Sequence, residues 1–117
     1  MRSDDGVRLR HMRDASREAV GFAKGKHRAD LDDDRMLAFA LVKAIEIVGE
    51  AANQVSDVTR THLPDIPWVD IVGMRHRLIH AYYDINLDIL WQTVQRDLPP
   101  LITALDDALA DEDAYRP

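Results

Sequence analysis

The sequence predicts an all-α fold, an antiparallel bundle of four to five helices, for three reasons. Apolar residues recur at three- and four-residue steps along most of the chain, which is typical of helices with one buried face. No segment alternates apolar and polar residues as a strand would. The 117 residues suffice for one hydrophobic core, so we expect a single domain over 1–117, with frayed ends at 1–4 and 112–117.

Two helices are predicted in the first half of the chain. The first spans residues 5–23, with its apolar face at Leu9, Met12, Ala15, Ala19 and Phe22. The second begins in the acidic run 30–34, which offers an N-cap and carboxylates that favour a helix N-terminus. Its apolar stripe consists of Ala38, Leu41, Ile45, Val48, Ala52 and Val55. Further apolar residues widen this stripe, so we expect the second helix to lie centrally.

A third helix is predicted between two interruptions. Ser56 can cap a short helical turn, and Pro64 prevents that turn from continuing. Pro67 suits the first position of the third helix, where its missing N–H costs nothing. We expect this helix to run to about Tyr82.

The last helix is predicted to begin at a polar cap. Asn86 precedes an apolar run and can accept a hydrogen bond from the first helical turn. Pro99 and Pro100 then predict a kink or restart before the final apolar stripe.

Composition excludes several classes of site and location. The chain has no cysteine, so a disulfide framework and a thiolate metal site or nucleophile are both excluded. No apolar run approaches the roughly 20 residues that span a bilayer, and residues 1–6 lack the pattern of a signal peptide. We therefore expect a cytoplasmic protein without a membrane anchor, and nothing in the sequence calls for a cofactor.

The charge is negative overall but unevenly distributed. The net charge of −6 argues against a broadly basic nucleic-acid-binding protein. Residues 1–28 nevertheless contain eight Arg or Lys and four Asp or Glu, while the rest of the chain contains seven and seventeen. This basic first segment fits either a surface that attracts a polyanion or an ordinary solvated helix face.

A cation interrupts the apolar face of the third predicted helix. Helical geometry places six residues within about 60° of Arg75. They are Trp68, Ile71, Val72, Leu78, Ile79 and Tyr82. Arg75 is thus predicted at the middle of the buried face, where a guanidinium needs a carboxylate, a crevice open to water or an anionic ligand. The structural alternative is an ion pair with Glu46 or Glu50 of the second helix.

His80 is the second candidate site residue. On a regular helix its side chain would lie about 140° from that of Arg75. For both to act on one phosphate, either the helix unwinds near Tyr82 or two copies pair about a two-fold axis, and we favour the dimer. His80 by itself also fits a partly exposed histidine near a helix C-terminus.

A metal site is the weaker interpretation of this region. His76, His80 and Asp84 follow one another at four-residue steps and would share a face if the helix continued through them. No fourth ligand is evident, and His76 is explained more simply as a surface residue. We therefore expect no metal site.

The chain resembles the HepT-like toxins of the HEPN superfamily. Residues 74–82, Met-Arg-His-Arg-Leu-Ile-His-Ala-Tyr, resemble the family motif of Arg, four residues, His, one residue and Tyr. The segment 49–53 is similar to the family's second helix, 66–68 to the lead into its motif helix, and 97–99 to its last helix. Two departures, His76 where the family often has Asn and Ala81 where it often has a polar residue, concern local hydrogen bonding.

The resemblance implies a function and partners. It implies a metal-independent ribonuclease toxin that forms a homodimer and cleaves RNA with Arg75 and His80. It also implies a cognate nucleotidyltransferase antitoxin of the MntA type that attaches adenylate to Tyr82. The alternative is a non-catalytic helical adaptor that binds a nucleotidyltransferase, which would explain the acidity more directly. The two hypotheses differ in whether expression of the chain alone arrests cell growth while the Arg75→Ala variant does not.

Overall fold

The computed structural model describes residues 3–81 and 84–114, without the side chains of residues 3 and 112–114. Its elements in chain order are α1 (Ser3–Ala23), α2 (Asp30–Asp33), α3 (Arg35–Asn53), α4 (Asp57–His62), α5 (Trp68–Val72), α6 (Met74–Leu78), β1 (Ile79–Ala81), β2 (Asp84–Ile85), α7 (Leu87–Gln92), a π-helical turn (Thr93–Asp97) and α8 (Leu98–Ala114). The prediction of an all-α fold is confirmed. No described helix is long and apolar enough to cross a membrane.

The core lies between α1, α3 and α8. α1 packs along both of the other helices and buries five apolar side chains, Leu9, Met12, Ala15, Ala19 and Ala23. Phe22, which we predicted on this face, is largely exposed, and Ala23 takes its place in the core. α3 buries Leu41, Ile45 and Val48 completely and also contacts α5, α6 and α7. Its predicted central position is therefore confirmed.

Polar caps begin the helices where the sequence places them. Asp34 accepts a hydrogen bond from the N–H of Leu37 at 3.0 Å and so caps α3. Asn86 accepts one from the N–H of Ile89 at 3.0 Å and caps α7. Each cap satisfies an N–H that has no partner within its helix, which fixes where the helix starts.

The two prolines widen the last helix instead of breaking it. Pro99 and Pro100 lie in the first turn of α8, where they lack an N–H and their rings crowd the carbonyls four residues earlier. The preceding turn is π-helical, and the N–H of Leu98 donates to the carbonyl of Thr93, five residues back. The longer hydrogen bond accommodates the prolines while the helix continues.

The third predicted helix is shorter than we expected. It is divided at Gly73 into α5 and α6, and it ends at Leu78 rather than near Tyr82. The chain then forms an antiparallel hairpin in which Ile79 pairs with Ile85, although no strand was predicted. Both isoleucines pack against the core, and their β-branched side chains favour extended backbone.

A buried carboxylate joins the start of α1 to α4. The side chain of Asp5 accepts hydrogen bonds from the N–H of Ser56 at 3.0 Å, from its hydroxyl at 2.6 Å and from the Thr59 hydroxyl at 2.6 Å. Asp5 is only 3% exposed. Because a buried donor without a partner is costly, this cluster should hold α1 and α4 together.

We predict that Asp5→Ala lowers the free energy of unfolding by about 2 to 4 kcal/mol, because it leaves three donors without their acceptor. Urea denaturation followed by circular dichroism measures the loss. The neighbouring exposed residue provides the control, and Asp4→Ala should cost less than about 1 kcal/mol. Equal losses in the two variants would show that the cluster does not stabilise the fold.

Candidate active site

Arg75 lies on α6 at the surface, not in the core. Its side chain is 48% exposed, so our prediction of a central position on the buried face is wrong. The residues of α5 and α6 that are actually buried are Trp68, Ile71, Met74 and Leu78. We left Met74 out of the predicted stripe. Met74 directly precedes Arg75, and neighbouring side chains on a helix point about 100° apart. With Met74 included, the centre of the buried face therefore lies away from Arg75.

The carboxylate that holds Arg75 belongs to α3. The Nε of Arg75 donates to Oε1 of Glu46 at 2.8 Å. The other oxygen of Glu46 lies 3.9 Å from the Nζ of Lys43. The predicted alternative of a pair with Glu46 is therefore found, but it is a half-exposed pair and not an internal one. Among the described residues, the terminal nitrogens of Arg75 have no hydrogen-bond partner.

Arg75 opens onto a small groove between α3 and the α5–α6 pair. The groove has a volume of about 190 Å³ and is lined by Glu46, Gly49, Glu50, Asn53, Val72, Arg75 and His76. It thus presents one permanent cation and one histidine beside two carboxylates. A planar guanidinium with free donors can bind a phosphoryl group through two parallel hydrogen bonds. The carboxylates restrict where an anion can enter, since they repel it.

Gly49 allows the two sides of this groove to approach each other. A Cβ at this position would lie 3.4 Å from the carbonyl oxygen of Ile71 and 3.7 Å from that of Val72. A side chain larger than a methyl group would push α5 away. A small residue at position 49 thus lets α5 and α6 lie close enough to α3 for Arg75 to reach Glu46.

His80 lies outside the groove, on the hairpin that follows α6. It is the middle residue of β1, with an exposed side chain between the partly buried Ile79 and Ala81. The N–H of Asn86 donates to the carbonyl of Leu78 at 2.7 Å and closes the base of the hairpin. Because the helix ends before His80, the helical angle to Arg75 does not apply. The unwinding that we considered is therefore found, at Leu78 rather than near Tyr82, and the dimer stays a prediction.

The remaining predicted residues have different outcomes. Tyr82 lies outside the described residues. His76 lines the groove, which the sequence did not predict. His80 and Asp84 lie on opposite strands of the hairpin, so the four-residue steps do not place them with His76 on one helical face. Within 3–81 and 84–114, no group of three or more His, Asp or Glu residues could hold a metal ion.

Sequence reasoning missed part of the groove. Asn53 and Val72 line it, and the sequence analysis named both, in the segment 49–53 and in the apolar stripe, without predicting that they border a site. Gly49 did carry a signal, because a glycine inside a strongly predicted helix suggests a close backbone contact. Glu46 was named as a possible partner of Arg75, although the buried position from which this was argued is wrong.

Comparison with known proteins identifies relatives of the chain. The model of the family described as "Ribonuclease HepT-like" matches residues 12–108. A protein of Methanocaldococcus jannaschii named "Putative RNase MJ1380" is 31% identical over 75% of this chain and 81% of its own length. A "Probable ribonuclease HepT" of Thermococcus cleftensis is 44% identical over 58% of this chain and 62% of its own length.

A third relative is matched over more of both chains. This is "Putative RNase TTE0752" of Caldanaerobacter subterraneus, which is 32% identical over 89% of this chain and 93% of its own length. No solved structure matches the chain. The family model covers α3, the groove and the hairpin as well as most of α1 and α8. The chain therefore belongs to the HepT-like family of the HEPN superfamily.

Proposed function

We propose that this protein is a metal-independent ribonuclease toxin in which Arg75 and His80 act on RNA, and that a nucleotidyltransferase antitoxin silences it at Tyr82. The main support for the proposal is the way in which the side chain of Arg75 is held. Its guanidinium is anchored through Nε alone and is 48% exposed at a groove, five residues before an exposed histidine. Relatives described as ribonucleases support the substrate class.

Arg75 is suited to binding a phosphate in a defined orientation. The hydrogen bond to Glu46 restrains the guanidinium without occupying its terminal nitrogens. These nitrogens can donate to two phosphate oxygens at once. Such donors stabilise the negative charge that develops on a phosphoryl group in the transition state by a few kcal/mol.

His80 is suited to moving a proton, because an imidazole changes its charge near neutral pH. The 2′-oxygen of the ribose forms a bond to phosphorus while the bond from phosphorus to the 5′-oxygen breaks. The 2′-hydroxyl loses a proton and the leaving 5′-oxygen gains one. His80 carries out one of these two transfers, and no metal ion is required for either.

We predict that Arg75→Ala and His80→Ala each lower kcat/KM for RNA cleavage by about 10²- to 10³-fold in buffer containing a chelator. Gel analysis of a labelled single-stranded RNA measures the rate. Neither change should lower the free energy of unfolding by more than about 1 kcal/mol, because both side chains are exposed.

Two exposed residues provide matched controls for these variants. Arg77→Ala removes a cation from the same helix, and His11→Ala removes an imidazole from α1. Both should retain wild-type cleavage. If the wild-type chain cleaves no RNA but binds the nucleotidyltransferase, the adaptor hypothesis is favoured. Full activity of His80→Ala would refute its role in proton transfer.

Tyr82 is the proposed acceptor of adenylate. It follows His80 by two residues, as in the family motif, so an adenylate on its hydroxyl would add bulk and negative charge close to the motif histidine. A polyanion would then be excluded by both sterics and electrostatic repulsion.

We predict that the chain gains the mass of one adenylate when it is produced with its cognate nucleotidyltransferase and ATP, and that cleavage is lost. Intact-mass and peptide mass spectrometry measure the modification. Tyr82→Phe should prevent it, whereas Tyr83→Phe is the matched control and should still be modified. An unmodified wild-type chain, or adenylate on another residue, would contradict this assignment.

An exposed row on α3 supports the proposed homodimer. Met36, Phe39 and Ile47 are 84%, 48% and 38% exposed and lie on one side of the helix with Lys43. The first half of this row carries Arg35 and Lys43, and the second half borders Glu46 and Glu50. Two copies crossing in opposite directions would therefore bury the apolar side chains and bring unlike charges together. The row adjoins the Arg75 groove, so a second copy could contribute its His80 there.

We predict that the wild-type chain has twice its chain mass of 13.3 kDa in solution, and that Phe39→Glu halves the measured value. Light scattering after size-exclusion chromatography gives the mass. Val58→Glu introduces the same charge at an exposed apolar position of α4 and should leave the dimer intact. A monomeric wild-type chain, or a dimeric Phe39→Glu variant, would exclude this interface.

A further inference from the structure

A second groove carries positive charge on the opposite end of α1 from the Asp5 cluster. It has a volume of about 450 Å³ and lies between the C-terminal part of α1, the following loop, the π-helical turn and the start of α8. Its charged lining residues are Arg17, Lys24 and Lys26, and no lining residue is acidic. We call it the cationic groove. Such a lining is unexpected in a chain with a net charge of −6.

The two lysines in this groove are available to a ligand. Within the described part of the chain, neither Lys24 nor Lys26 forms an ion pair. Arg17 donates from its terminal nitrogen to Asp106 at 2.7 Å, so it is already partly neutralised. Gly25 has a φ of +76°, a conformation that favours glycine, and this turn places the two lysines on either side of it.

Apart from Gln95, the remaining lining residues are apolar or glycine. Val20, Pro99 and Ile102 contribute apolar surface, against which a nucleobase can pack. Gly21 also lines the groove, and a Cβ at this position would meet nothing within 4 Å. The groove therefore combines cations that suit a phosphate backbone, as in single-stranded nucleic-acid sites, with apolar side chains beside them.

The basic loop also leads toward the hairpin that carries His80. Arg28, at the end of this segment, donates through Nε to Asp88 at 2.6 Å in the first turn of α7. This hydrogen bond to Asp88 raises the pKa of Arg28. Asn86, just before α7, is bonded to the end of α6. From Asp88 to Gln95 in the groove is about 10 Å along the helix axis, at 1.5 Å per residue.

We propose that the cationic groove binds single-stranded RNA of the substrate beyond the cleaved bond, and so selects long RNA over short. This inference rests on the proposed ribonuclease function. Lys24 and Lys26 contact phosphates there, and the apolar walls contact bases. Lysines that merely complement the C-terminal dipole of α1 would instead contribute to stability and not to RNA affinity.

The test measures RNA binding separately from cleavage. Fluorescence anisotropy of a labelled 20-nucleotide single-stranded RNA is measured with His80→Ala protein, so that the probe stays intact. Adding Lys24→Gln and Lys26→Gln should weaken binding about 10-fold or more and reduce the dependence of log affinity on log salt by about 1.4, or 0.7 per phosphate contact. Arg77→Gln, which removes a cation elsewhere, is the control and should change neither quantity.

A second variant fills the groove without removing charge. Gly21→Leu should not disturb the fold, because the position faces open space and leucine favours helix. It should also weaken binding of the 20-nucleotide RNA. With His80 restored, the lysine and leucine variants should raise KM for long RNA several-fold while leaving kcat/KM for a dinucleotide unchanged.

The outcomes separate this inference from the proposed function. Wild-type cleavage of the dinucleotide establishes the ribonuclease activity whatever the groove does. If long RNA is then bound equally by the lysine variants and by wild type, with the same salt dependence, the inference is overturned. It is also overturned if these variants lose binding to an acidic protein partner but keep their affinity for RNA. Absence of cleavage by wild type would instead contradict the proposed function.

Discussion

The close approach of α5 to α3 at Gly49 is the constraint on which the candidate site depends. Since position 49 holds a small residue, the carbonyl groups of Ile71 and Val72 can lie close to α3. α6 continues from α5 and is thereby held where Arg75 meets Glu46. The positions of Arg75 and Glu46 are thus fixed by the packing of the helices that carry them. The attraction between two partly exposed charges is too weak to fix these positions by itself.

The second constraint is the early end of the motif helix. A continuous helix would have placed His80 about 140° from Arg75 around the helix axis. The helix instead ends at Leu78, and Ile79 and Ile85 fill the adjacent core from two paired strands. His80 is left on the solvent side of this hairpin, where a substrate can reach it without displacing core residues.

Charge is organised locally in a chain that is acidic overall. The acidic residues near Arg75 restrict where an anion can enter the Arg75 groove, whereas the cationic groove at the end of α1 has no acidic lining residue. The π-helical turn contributes to this second region, because it presents Gln95 to the groove shortly before the two prolines. Because the chain widens into a π-helical turn and does not break, α7, this turn and α8 form one continuous helical segment. The same segment therefore contributes to the core and to the wall of the cationic groove.

The sequence by itself determined the helical fold, the central position of α3, a cap within the acidic run 30–34 and the cap at Asn86, because helical periodicity and capping are local properties. It also identified Glu46 as a possible partner of Arg75, since charge pairing needs only the residue types. Only the tertiary structure decided which face of α6 is buried and where that helix ends. Packing of Met74 against the core and of Ile79 against Ile85 overrides local helical geometry, and such contacts depend on residues that are distant in the chain.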